Sequence, residues 1–149
     1  MVFGRRKSSD RDVPEVSAEM FVDIPLDPRQ LNKTDQFSFI LNPSGIKGVG
    51  VFATHGIAKG TYLAIFQSEK TRFVSAKKMD ADPRLKQFCL FYGVETDGGS
   101  YVAPNFGVMA MGWYLNHSES PNAHHKGYHY FASRDIAAGE EITIDYRLL

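Results

Sequence analysis

The chain has 149 residues, 43% hydrophobic and 13% aromatic, which fits one ordinary domain with a real core. Its 17 Lys and Arg balance its 17 Asp and Glu. That excludes the broad basic surface of a sequence-independent nucleic-acid binder, while a local acidic groove for a basic peptide stays open. A single cysteine, Cys89, excludes an internal disulfide or a Cys-based zinc site and points to a reducing compartment.

No apolar run reaches membrane-spanning length, and the start "MVFGRRKSSDRD" lacks a secretory apolar segment. The expected location is therefore intracellular, cytoplasmic or nuclear, with no membrane and no direct nucleic-acid partner. Residues 1–20 are charged and Ser-rich with little apolar pattern, and read as a flexible tail; 21–149 read as the folded domain.

From Phe37 the pattern changes. "QFSFIL" alternates as a strand does, "VGVFATH" reads as a second, and "TYLAIFQSE" follows a Gly turn as a third. "SAKKMDADPRLKQF" is the best helical stretch, interrupted at Pro83. "FCLFYGVE" and "SYVAP" resemble strands around the turn "TDGGS", and "GVMAMGWYL" reads as a single buried helical turn. "YHYFASRDI" and "EEITIDY" close the chain as strands, so the whole predicts an irregular, mostly β fold.

The segment "FATHGIAKGTYLAI" (52–65) aligns without gaps on "FASRDIAAGEEITI" (131–144), with Phe, Ala, Ile, Ala, Gly and Ile identical. Each copy reads as strand, tight turn at Gly60 or Gly139, then strand, and the pair is expected to form two β-corners packed on one another.

Three stretches carry chemistry-bearing residues. In "GIKGVGVFA", Gly48 and Gly50 at alternating positions would let a ligand lie directly on the backbone. A dinucleotide fingerprint is excluded, because the third glycine and the following helix are lacking. In "WYLNHSESPN", Asn116 and His117 can each donate or accept, and Pro121 fixes the loop's exit. "GEEITIDY" is an apolar strand ending in Asp145 and Tyr146.

Taken in order, these three pieces resemble the SET-domain protein lysine methyltransferases, over about Phe37 to Tyr146. "GTYLAIFQSE" is similar to the family segment ending in Tyr-x-Gly-Glu, with Phe66 and Ser68 in place of Tyr and Gly. The resemblance implies a β-clip fold with short helices, in which the C-terminal segment passes under the "NHS" loop as a pseudoknot. It implies an S-adenosylmethionine-dependent enzyme that methylates a lysine of a protein or peptide, a histone among the candidates. By the same resemblance Lys47, Gly48, Val49, Gly50, Asn116 and His117 bind the cofactor. Tyr146 is the catalytic tyrosine, and Phe66, Ile144 and Tyr146 line the substrate channel.

The sequence departs from the family where Glu119 stands in place of a zinc-ligating Cys, and no cysteine cluster follows Tyr146. The channel wall is then expected from the N-terminal segment, a second subunit of a homodimer, or the substrate. Ile144 stands where the family has Phe or Tyr, which suggests room for di- or trimethylation. A non-catalytic SET-like module that binds cofactor or peptide is the alternative. A metal site among His117, Glu119, His124, His125 and His129 is disfavoured, because "HHKGYHY" reads as a strand, on which neighbouring His124 and His125 face opposite sides.

Overall fold

The computed structural model describes residues 33–35, 37–66, 71–127 and 129–149. The expected tail 1–20 lies outside them, as do Gln36 and the end of the third expected strand, Ser68 included. The described residues are mostly strand with few short helices, as the sequence implies.

Among the described residues the strands form three small sheets. The first has the order β1-β2-β10-β7, from β1 (Phe39–Pro43), β2 (Val49–Ala53), β7 (Asn116–His117) and β10 (Glu141–Ile144). β1 and β2 are an antiparallel hairpin with Pro43 opposite Val49. Pro43, which has no N–H to donate, is tolerated there because β1 is an edge strand. The second sheet, β3-β9-β8, joins β3 (Tyr62–Leu63), β8 (Ala123–Lys126) and β9 (His129–Ala132). The third, β4-β6-β5, joins β4 (Arg72–Ser75), β5 (Val94–Thr96) and β6 (Gly99–Val102).

The internal echo is realised as paired corners with reciprocal bonds. Ile57 and Ile136 exchange backbone hydrogen bonds, both at 2.8 Å. Gly60 N–H donates to the Ala132 carbonyl at 2.8 Å, and its counterpart Gly139 donates to Ala53 at 2.7 Å. Gly60 (φ +81°) and Gly139 (φ +78°) both occupy the left-handed region that a residue with a Cβ avoids. β3 pairs with β9 in the register in which β10 pairs with β2, Tyr62 opposite Phe131 and Glu141 opposite Phe52. The main core forms around this arrangement, with Val51, Ile57, Leu63, Ile136, Ile142 and Ile144 buried together.

Two corrections apply to the expected elements. The apolar run Phe88–Tyr92 ends a helix and is not a strand. Ser75 caps α1 (Ala76–Ala81), and Asp82 caps α2 (Pro83–Tyr92) by accepting from the Arg84 and Leu85 N–H groups. Pro83 sits in the first turn, where its missing N–H costs nothing. Cys89 is buried against Val74, Met79 and Val102 while Leu90 and Phe91 stay exposed, so the run is one-sided at helical spacing. Gly93 then lets the chain pass close to the helix end, for a Cβ there would lie 2.5 Å from the Cys89 carbonyl oxygen.

The second correction concerns "HHKGYHY", which is a hairpin and not one strand. β8 and β9 meet at Gly127, whose φ of +57° makes the turn. "GVMAMGWYL" forms two 3-10 turns, Phe106–Val108 and Met111–Tyr114, of which Gly112 is the buried member. Among the described residues, no helix is long and apolar enough to cross a membrane.

The C-terminal strand is inserted into the first sheet. β10 lies between β2, antiparallel to it, and β7, parallel to it, with Thr143 opposite Asn116 and Ile144 opposite His117. Residues far apart along the chain are brought side by side by this one insertion.

Candidate functional site

The β1–β2 hairpin closes through Ser44–Gly48, where Ser44 N–H donates to the Gly48 carbonyl at 2.9 Å. Gly48 has φ +56° and open space beyond its α-carbon. Gly50 is different, since a Cβ there would fall 2.1 Å from Glu141 Oε1 and 3.2 Å from Asn116 Nδ2. Both glycines are required, for separate reasons. Gly48 supplies a left-handed turn beside free space, and Gly50 makes room for a carboxylate and an amide of this chain.

Asn116 is only 8% exposed. Its Nδ2 donates to the carbonyl oxygens of Lys47 (3.1 Å) and Val49 (3.3 Å) and to Glu141 Oε1 (2.8 Å). Three acceptors fix which end of the amide carries nitrogen. Among the described residues no donor reaches its Oδ1, so the amide keeps an acceptor that this chain does not use.

Tyr146 follows β10 and faces the same loop. Its backbone N–H donates to His117 Nδ1 at 3.1 Å, its phenol donates to the Leu115 carbonyl at 2.5 Å, and its ring lies 5.3 Å from that of His117. To accept there, Nδ1 must be unprotonated, so a neutral His117 carries its proton on Nε2. Burial pushes the Tyr146 phenol above its ordinary value, and the Glu141 carboxylate adds to the shift. Asp145 is held down at about 2, chiefly by its hydrogen bonds from the Arg147 side chain and backbone.

The structure thus gathers Lys47, Gly48, Val49, Gly50, Asn116, His117 and Tyr146 around the junction of β2, β7 and β10. The Lys47 ammonium also lies 5.5 Å from the centre of the exposed Phe91 ring, which brings the end of α2 beside the loop. Phe66 and Ile144 are placed against the core instead. Ile144 is 4% exposed, and Phe66 packs edge-on to Trp113 and tilted against Tyr130, at 5.7 and 5.4 Å. Among the described residues no ring contact or hydrogen bond joins Phe66 to Tyr146; Phe66 packs against the core that holds Leu115, whose carbonyl accepts the Tyr146 phenol.

Sequence reasoning missed Ser44, Gly112, Asn122 and Glu141. A Cβ on Gly112 would lie 2.1 Å from the Phe66 ring, so this glycine is where the aromatic packs. Asn122, fully buried, accepts from Thr143 N–H at 2.8 Å and donates to the Glu141 carbonyl at 2.7 Å, and so pins β10 as another strand would. The available signals were the polar residues in "SPN" and "GEE", unexplained by any apolar pattern. His124 bonds Ser133 Oγ and stacks on Phe131, while His125 contacts Tyr130 and the Leu148 carbonyl. Among the described residues no group of three His, Cys, Asp or Glu is arranged to hold a metal.

The SET domain family model matches residues 48–147, more than half of the chain, and includes Gly48, Val49, Gly50, Asn116, His117 and Tyr146 of this junction. The chain belongs to the SET-domain family. Over 112 residues this SET domain is 29% identical to a histone-lysine N-methyltransferase, H3 lysine-36 specific, of Candida albicans; the match covers 69% of this chain and 13% of that protein. The chain therefore spans a small part of the curated relative it matches.

Among solved structures, the SET domain is similar to a humanized mutant of the Chaetomium thermophilum Polycomb Repressive Complex 2 bound to the inhibitor GSK126. That match has TM-score 0.50 at 21% identity, covering 72% of this chain and 14% of the other. Apo ctPRC2 aligns with TM-score 0.53 at 21% identity, covering 72% and 15%. At such identities the likeness shows the SET fold.

Proposed function

We propose that this SET domain transfers a methyl group from S-adenosylmethionine to the side-chain amine of a lysine in a protein substrate. The observation that carries the reading is the Asn116 amide. Its donor end holds the Lys47 and Val49 carbonyls, and its acceptor end, on a residue only 8% exposed, is unpartnered among the described residues. With the open face of Gly48, that acceptor fits a ligand bearing N–H donors, as S-adenosylmethionine does. On this reading Lys47, Gly48, Val49, Gly50, Asn116 and His117 hold the cofactor, and Phe66, Ile144 and Tyr146 line the lysine channel. The catalytic domain is taken to cover residues 21–149.

When bound, the cofactor supplies a methyl group on a positively charged sulfur. The protein's task is to deliver a neutral amine in line with it. Removing the proton from a free lysine at pH 7 costs about 4–5 kcal/mol. Apolar surroundings reduce that cost by disfavouring the ammonium, and on this reading the core residues Leu115 and Ile144 supply them. With its phenol raised above the ordinary range, Tyr146 is a poor base at neutral pH. Its hydroxyl is anchored on the Leu115 carbonyl and is suited to positioning the reacting groups.

The substrate is a protein, and a histone is the first candidate because the curated relative is a histone-lysine N-methyltransferase. A histone substrate would place the protein in the nucleus. Methyl-labelled S-adenosylmethionine incubated with the protein and histone or whole-cell extract, followed by mass-spectrometric mapping, tests the reading. Label on a lysine is expected. Cofactor binding with no transfer to any protein would instead favour a non-catalytic module, a reading encouraged by Phe66, which packs in the core without a hydroxyl. Tyr146→Phe should lower kcat by roughly a hundredfold and change cofactor affinity less than about threefold. Equal losses in both would contradict the positioning role. Dimethyl- or trimethyllysine among the products is the outcome expected from the small Ile144; monomethyllysine alone would contradict it.

A further inference from the structure

Glu141 opens β10, and its carboxylate lies over the α-carbon of Gly50. Two side-chain donors reach it. Ser44 Oγ lies 2.9 Å from each carboxylate oxygen, and Asn116 Nδ2 lies 2.8 Å from Oε1. Ser44 Oγ also accepts from the N–H groups of Ile46 (2.9 Å) and Lys47 (3.3 Å). Both lone pairs of that hydroxyl are therefore in use, and its own proton must go to Glu141. Asn116 Nδ2 has no freedom either, since turning the amide over would set its oxygen against three other oxygens.

Every group that meets the carboxylate is thus a donor, and only a side chain with acceptors alone satisfies them all. A glutamine would keep the size and one oxygen, but would present an NH2 to Ser44 Oγ, whose lone pairs are already taken. The same contact explains Gly50, where any Cβ would displace the carboxylate.

Resting on the proposed use of S-adenosylmethionine, we infer that Glu141 is a positioning residue for the cofactor. It holds the Asn116 amide with its oxygen toward the ligand and, through Ser44, fixes the shape of the Ser44–Val49 loop. It touches neither reacting atom, and its effect reaches the ligand through Asn116 and the loop. Its consequence is selective. Loss of the carboxylate weakens cofactor binding and leaves recognition of the lysine substrate unaltered.

The test compares wild type, Glu141→Gln, Glu141→Asp and Ser44→Ala by calorimetric titration with S-adenosylmethionine, by KM for each substrate and by thermal melting. The expected result for Glu141→Gln is a loss of cofactor affinity of roughly tenfold or more, matched in the KM for cofactor, with the KM for the lysine peptide within about twofold. Glu141→Asp, which keeps an acceptor-only group, should recover part of the loss, and Ser44→Ala should lose roughly threefold. If Glu141→Gln melts far below wild type, Ser44→Ala decides in its place. A rise in cofactor KM alone supports the inference, and no rise overturns it. Wild-type binding with equal binding by the variants overturns the inference and leaves the proposed function standing. A wild type that does not bind S-adenosylmethionine overturns both.

Discussion

Asp145 shows how one side chain ties the chain's last turn to the site. Its carboxylate accepts from the Arg147 backbone and guanidinium, caps the 3-10 turn Tyr146–Leu148, and lies 3.7 Å from His117 Nδ1. These donors lower its folded pKa from 3.8 to about 2. A depressed carboxylate stabilises the fold above its unfolded value, and that contribution fades as pH falls from near 4 toward 2. Asp145→Asn should therefore melt slightly below wild type at pH 5, with the gap closing at pH 2.5. A gap that is unchanged between the two pH values would contradict this origin. At the same scale Gly50 shows what the sequence could not give. Its need for a missing Cβ was readable, but the occupant of that space, Glu141, became visible only once β10 was seen beside β2.

At the scale of elements, the position of β10 decides where Tyr146 stands. Asn122 fixes that strand by two bonds to its backbone, and Asn122→Ala would leave the buried Thr143 N–H and the half-buried Glu141 carbonyl without these partners. The expected cost is ~2–4 kcal/mol, measurable by denaturant unfolding. A loss below roughly 0.5 kcal/mol would mean that β2 and β7 hold the strand unaided. The echo between 52–65 and 131–144 was legible because both copies repeat the same turn glycine and the same buried isoleucines, Ile57 and Ile136. The segment Phe88–Tyr92 was not. An unbroken apolar run fits strand and helix alike, and here the Asp82–Pro83 cap was the stronger signal.

Over the whole molecule, the fold's use is to bring three distant segments to one junction. The hairpin loop comes from near the start of the described residues, β7 from the last third, and Tyr146 from close to the final residue. Their order along the chain made the family legible through its motifs, and the family model covers residues 48–147. Their meeting depends on the insertion of β10 between β2 and β7, a long-range event that no local periodicity encodes. The functional reading depends on that meeting having a purpose.

Titration of isotope-labelled protein with S-adenosylmethionine, followed by assigned amide spectra, tests this most directly. Gly48, Val49, Asn116, His117 and Tyr146 should shift together and saturate at one common ligand concentration. Shifts confined to α1, α2 and the β4–β6 sheet, or no shift at all, would contradict a shared site at this junction.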